Sequence, residues 1–252
     1  MTGNTTIASE RFNGTTLLRK GDSEAKVSIS KRCVAEMLQD MDRPYETSAF
    51  LSGKLDGGRV LFDRYDPILD AIKLTGMIFH DTKKLHSQME GIRRRRDEAI
   101  MHVHLHPSGF SRAFDMSRRS EAEIMAQPAG PSINDVQFYF TEYAIRASVL
   151  GFSGVYGAVL TRYSGFNSGS LRDTKYAKLE AYDILNAFST PTPKMEITSI
   201  PYSIHDDGTK PSAARTCANL IRRAIDDIQV NAIGYLFLGK GAGNVSDEMW
   251  LG

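Results

Sequence analysis

Cysteine is scarce in this chain of 252 residues, where only Cys33 and Cys217 occur. Two isolated cysteines form neither a disulfide framework nor a cysteine-rich metal motif. Both fall in helix-like surroundings, where a small buried apolar residue is the simplest reading and a reducing compartment is expected. Long apolar runs are missing too, so no segment approaches the length of a membrane span, and no signal-peptide core is expected near Met1. The expected location is therefore the cytoplasm. There the glycosylation-like triplets beginning at Asn4, Asn13 and Asn244 carry no meaning. Charge of one sign is also lacking. With 31 Lys and Arg against 30 Asp and Glu, the net charge is +1, which by itself argues neither for nor against nucleic acid. No internal repeat is visible. The hydrophobic fraction of 41% and charged fraction of 24% suit a globular protein long enough to bury a full core.

The richest stretch is Ala99-Ile100-Met101-His102-Val103-His104-Leu105-His106, closed by Pro107-Ser108-Gly109. Apolar residues alternate with histidines, the period of a strand with its histidines on one face. Histidines two apart on a strand can both point at one metal ion, and neutral imidazole is a common zinc ligand. A third ligand must come from elsewhere in the chain. Gly130-Pro131-Ser132-Ile133-Asn134-Asp135-Val136 offers one. Pro131 and Ser132 read as a helix start, and Asp135 falls in its first turn, from where a carboxylate could turn towards the metal.

Together, His104-Leu105-His106-Pro107 and Ser132-Ile133-Asn134-Asp135 resemble the signature of the JAMM (MPN+) metalloprotease family. That family also carries a Glu on an earlier strand, before a run of small residues and leucine ending in Gly. Pro44-Tyr45-Glu46-Thr47-Ser48-Ala49-Phe50-Leu51-Ser52-Gly53 looks like that segment. Spacing departs from the family at one point, because residues 107–131 separate the second histidine from the serine, far more than usual. The segment from Phe110 to Gly130 is read as an insertion beside the site, with a short helix from Asp115 to Met125. A tighter pairing would take Ser120 and Glu123 as the serine and acid. His102 is the substitute ligand on the same strand face.

The resemblance implies an α/β fold, a JAMM/MPN-like (cytidine-deaminase-like) mixed sheet packed between helices, over residues 25–165. Residues 1–24 read as a flexible lead-in, and residues 171–252 as a small C-terminal α/β extension of unassigned role. Within the body, Ser30 is expected to cap a helix running to about Asp42, and Asp56-Gly57 marks a hairpin. A second helix is expected from Asp81 to Arg96, with Leu85, Met89 and Ile92 as its apolar stripe. Val136–Tyr143, Ile145–Leu150 and Gly154–Thr161 read as β-rich. Asp173–Phe188 reads as helix, Met195–Ile204 as a strand interrupted at Pro201, Ser212–Ile228 as helix and Asn231–Leu238 as strand. Tyr163–Ser170 reads as a linker, and Gly239-Lys240-Gly241-Ala242-Gly243 lacks the features of a phosphate-binding loop.

The resemblance further implies a zinc-dependent peptidase or isopeptidase. Zinc would be held by His104, His106 and Asp135, with Glu46 as general base and Ser132 as donor to the oxyanion. The implied substrate is a protein, in several relatives a ubiquitin-like conjugate. Two alternatives stay open: a non-catalytic scaffold or assembly subunit of MPN type, and a protein like the DNA-repair-associated RadC branch, which Pro107-Ser108-Gly109 also suggests. Arg93-Arg94-Arg95-Arg96 reads either as a solvated, dipole-favoured helix end or as a dock for an acidic partner. Nucleic-acid binding would need a larger basic surface than this one helix end. His80 and His86 read as surface residues.

Overall fold

A computed structural model describes residues 6–12, 14–21, 25–41, 46–68, 71–74, 77–106, 121–126, 131–165, 174–188, 197 and 199–208, with Ile221 and Ala224. Strands β1 (Thr6–Phe12) and β2 (Thr15–Gly21) form an antiparallel hairpin. β3 (Val27–Ser30) runs into α1 (Lys31–Asp40), where the Ser30 hydroxyl accepts from the Cys33 N–H and caps the helix. β4 (Thr47–Asp56) and β5 (Arg59–Pro67) make a long hairpin that turns at Gly57 and Gly58, both at positive φ. β6 (Ala71–Leu74) and β7 (Met77–His80) form a separate two-stranded sheet. Helix α2 (Thr82–Arg94) follows, capped by Asp81, whose carboxylate accepts from the Lys83 and Lys84 N–H groups.

β8 (Ala99–His106) is the histidine strand, and α3 (Glu121–Ala126) comes after it in the chain. Helix α4 (Ile133–Phe138) continues through a π-helical turn, Tyr139–Tyr143, into α5 (Ala144–Val149). β9 (Gly154–Gly165) and β10 (Thr174–Asp183) are long, and α6 (Ile184–Phe188), β11 (Ser199–Ile200) and β12 (Ser203–His205) complete the described elements. The fold is mixed α/β. One sheet runs β1-β2-β10-β9-β8-β4-β5-β3-β12, with β11 on β10. β8 lies near its middle, antiparallel to β4 and parallel to β9.

Period-two alternation divides the two faces of this sheet. Ala99, Met101, Val103 and Leu105 of β8 enter the core beneath α1, with Cys33, Val34 and Met37. Ile100 faces the other way, into a core with Leu85, Met89 and Ile92 of α2 and with Tyr139, Tyr143, Ala144 and Ala147. The expected helical stripe of α2 is thus the buried one. Between them the helices cover both faces of the sheet, and His102 lies on the second, with its ring against Phe50, Tyr139 and Tyr143.

Several expectations are corrected. Residues 6–12 and 14–21 are a paired hairpin rather than a loose lead-in, and β2 joins β10 with Leu17 and Leu18 buried. Asn13-Gly14 is a hairpin dipeptide, and Gly14 takes the positive φ that such a turn needs. Asp173–Phe188 is mostly strand: Ala177, Leu179 and Ala181 alternate into one core face, a period of two rather than 3.6. Val136–Leu150 is helical, because Val136, Tyr139, Tyr143, Ala144 and Ala147 recur at helical spacing and are the buried positions. No sheet boundary falls at 165–171, since β10 pairs β9 and β12 pairs β3. Within the expected linker, Tyr163–Gly165 belong to β9. The expectations for 110–120, 127–130, 166–170 and 231–243, and for 212–228 apart from helical Ile221 and Ala224, lie outside the described residues.

At the bulge between Ser52 and Gly53, β5 approaches β4 so closely that a Cβ on Gly53 would sit 1.8 Å from the Leu61 carbonyl oxygen. Backbone cannot yield there as a flexible side chain would. Gly53→Ala is expected to destabilise the protein by about 3 kcal/mol, the upper range for overpacking. Denaturant unfolding measures it.

Candidate metal centre

His104 shares the face of β8 that carries Ile100 and His102, opposite Ser48 of β4. One step beyond the last paired residues, Thr47 and Leu105, Glu46 comes level with His106. Diagonal neighbours across an antiparallel pair are within reach of long side chains. Glu46 makes that diagonal contact, and its Oε2 lies 2.8 Å from His104 Nε2. Ligand atoms of Glu46, His104 and His106 all fall within 4.8 Å of one another. Glu46 and His104 are buried, and His106 is half-buried.

The fourth group arrives from α4. Ser132 is its N-cap, and Asp135 closes a capping box: the Asp135 N–H donates to Ser132 Oγ at 3.2 Å, and Oδ2 accepts from the Ser132 N–H at 2.8 Å. The Ser132 hydroxyl also donates to Oδ2, at 2.7 Å. The other oxygen, Oδ1, lies 2.6 Å from His104 Nδ1. A local helix cap therefore doubles as the fastening between helix and histidine strand. Asp135 meets the ring edge opposite Glu46 and is not one of the three residues clustered at ligand distance.

Both ring nitrogens of His104 face carboxylates. Burial alone would lower its pKa, but the Asp135 and Glu46 contacts outweigh burial and raise it to about 9. Burial also opposes ionisation of Asp135, yet His104 and the Ser132 donors hold its carboxyl well below the usual range. His106 is pushed down, first by burial and then by the charge on His104. The site is thus a cation held between carboxylates beside a neutral imidazole. Two imidazoles and nearby carboxylates are a donor set suited to a divalent metal such as zinc.

The remaining candidates fall elsewhere. His102 shares the strand face but is enclosed by aromatic rings, with Phe138 at 5.0 Å and His80 at 5.4 Å between centroids, so it is placed as core. His80 and His86 are half-buried rather than on the open surface, and His86 Nε2 lies 3.6 Å from Glu90. Ser132 is exposed, with its hydroxyl turned to Asp135. Glu123 lies on α3 outside the cluster, and Ser120 is outside the described residues. Arg93 donates to the Leu150 and Asp97 carbonyls, Arg94 pairs with Glu90 at 3.2 Å, and Arg95 pairs with Asp66 and Asp97, so three of the four arginines serve internal contacts. Among the described residues no helix is long and apolar enough to cross a membrane. The double duty of Asp135 escaped the sequence reading, although the Ser-x-x-Asp spacing of a capping box was its signal.

No family model matches this sequence, and no curated protein matches it. Among solved structures, the solution structure of protein DSY2949 from Desulfitobacterium hafniense is similar at a TM-score of 0.38 and 15% identity, covering 72% of this chain and 94% of that one.

A metal held by His104 would compete with its proton, so that binding below pH 9 would release one. Apparent metal affinity is expected to climb by about tenfold per pH unit towards pH 9 and then to level off, as one displaced proton requires. The raised His104 pKa has the opposite effect on stability without metal. Its contribution is complete below the ordinary histidine value of 6.5 and is lost as pH rises through about 9. Calorimetric metal titration and thermal unfolding across this range check both signs.

Proposed function

We propose that this protein is a metal-dependent hydrolase of the JAMM type, cleaving a peptide or isopeptide bond in a protein substrate such as a ubiquitin-like conjugate. The observation that carries this reading is the convergence of His104 and His106 from one strand with Glu46 from its neighbour, their ligand atoms within 4.8 Å of one another. On the resemblance, His104, His106 and Asp135 would hold zinc. The metal, when bound, supplies Lewis acidity that makes a water reactive at neutral pH. In this reading Glu46 does the rest of the proton work. A base must lie within hydrogen-bond reach of the proton that it takes, and the Glu46 carboxylate adjoins both imidazoles. It takes the proton from the attacking water and passes it to the leaving nitrogen. Ser132 supplies a hydroxyl to the developing oxyanion once that proton turns away from Asp135; the Ser132 N–H keeps its bond to the same carboxylate.

A second reading has its own observation. Glu46, rather than Asp135, lies in the cluster with both histidines. If Glu46 were a ligand, Asp135 would orient His104 through Nδ1, as outer carboxylates do for metal-bound histidines. With Glu46 used as a ligand the site would lack the base that the first reading needs, which suits a scaffold or assembly subunit.

One variant tests the site and two separate these readings. The double variant His104→Ala, His106→Ala is expected to lose all bound metal by elemental analysis, and full retention would remove the site. Glu46→Gln is expected to keep metal and fold while kcat falls by about 10²–10⁴, the contribution of a general base. Asp135→Asn is expected to lose metal. Loss of metal in Glu46→Gln with retention in Asp135→Asn would establish the second reading instead.

A further inference from the structure

The face of the sheet that carries the histidines continues across β9 and β10. Register places His106 beside Thr161, Thr161 beside Lys178, and Lys178 beside Leu18 of β2. His104 is likewise in line with Val159 and then Glu180. Lys178 and Glu180 therefore lie two strands from the histidines on one face, about 10 Å away at ordinary strand spacing. Lys178 is 1% exposed, a rare setting for a lysine unless it is paired. Its Nζ lies 2.8 Å from Glu180 Oε1 and donates to the Met125 carbonyl at 2.9 Å. Met125 belongs to α3, inside the insertion between the second histidine and Ser132. The same helix buries Ile124 against Leu18 and Tyr163. Glu180 is held in turn by the Tyr182 hydroxyl, at 2.9 Å.

We propose that Lys178, set by Glu180, is a positioning residue that fastens α3 onto the sheet two strands from the histidines, so that α3 forms a fixed wall on the approach to them and limits which substrates reach them. The limit on substrates rests on the hydrolase reading; the fastening does not. The physical reason is the cost of leaving the wall. If α3 lifts, a buried ammonium loses a carbonyl, and Ile124 loses its apolar seat. A cation on a carbonyl of the last helical turn is also favoured by the helix dipole. A wall held in this way discriminates by shape, admitting a slender peptide more readily than a folded conjugate presented at a wrong angle.

The test uses the full chain loaded with zinc, with Lys178→Met to remove the charge and keep the stem, and Ile124→Ala to loosen α3 from the helix side should Lys178→Met fail to fold. Hydrogen exchange of residues 121–126 is expected to quicken by about tenfold in Lys178→Met, the effect of losing one hydrogen bond to a charged donor, and to quicken in Ile124→Ala through the lost apolar seat. Zinc content should not change. The ratio of kcat/KM for a ubiquitin-like conjugate to that for a short peptide of the same cleavage sequence should shift at least severalfold. Unchanged exchange in α3 would overturn the fastening. Faster exchange with an unchanged ratio would overturn the control of substrates. If wild-type protein binds zinc but cleaves neither substrate, the hydrolase reading and the substrate limit fail together, and exchange alone decides the fastening.

Discussion

An imidazole held between two carboxylates has to be positioned from three directions at once. His104 comes from the central strand, Glu46 from the neighbouring strand and Asp135 from a helix N-terminus. Burying one charge is costly unless it is paired and hydrogen-bonded, so each group is tolerable only while the others are in place. The requirement reaches into the packing. Tyr143 donates to the Ile100 and Tyr156 carbonyls, and Tyr139 donates to Ala158, which pins the helical run onto β8 and β9. Gly157 makes that approach possible, since a Cβ there would meet the Tyr139 ring at 2.8 Å. Helix, glycine and strand together fix where Asp135 emerges.

The two faces of the sheet carry different burdens. The α1 side is a mainly apolar core that includes Phe62, Tyr65 and Tyr202, with Arg162 donating to the Leu38 carbonyl, and it accounts for folding by ordinary burial. Polar groups collect on the other side, at the end of β8: Glu46, His104, His106 and, two strands on, Lys178 and Glu180. Charges on the histidine face are in each case held by a named partner. The Arg95–Asp97–Ser52 contacts at the opposite end of β8 follow the same rule.

The histidine strand was legible from the chain because alternation over eight residues has no competing reading once three histidines share one parity. Ser30, Asp81 and Gly57 were legible for a similar reason: a cap or a turn is set by local chemistry. Val136–Leu150 was not. Its aromatic and β-branched residues favour a strand locally, and only the sheet they pack against selects the helical period. Thr174–Asp183 reads as helix, whereas it is a strand in which buried Lys178 pairs with half-buried Glu180 and donates to the Met125 carbonyl of α3, distant in sequence. The hairpin at residues 6–21 was missed because its polar composition outweighed the Asn13-Gly14 turn in the reading. Of the centre itself, the residues could be named from spacing, but not that Asp135 would reach the Nδ1 edge of His104 and Glu46 the Nε2 edge.

This arrangement bears on what the centre is for. A protein gains little stability from a buried ion pair, since desolvation offsets most of the attraction, and apolar residues of similar size usually do as well. Here the structure holds a charged imidazole with two buried or half-buried carboxylates and sets a second imidazole beside them, 4.8 Å away between ring centroids. The two carboxylates push the His104 pKa up while burial pushes that of His106 down, so neighbouring groups of one type differ in proton affinity. Structural ion-pair networks shift pKa values as well, so the contrast alone singles out no function. What sets this centre apart from an ordinary ion pair is that ligand atoms of two imidazoles and a carboxylate lie within 4.8 Å of one another, close enough to share one divalent ion.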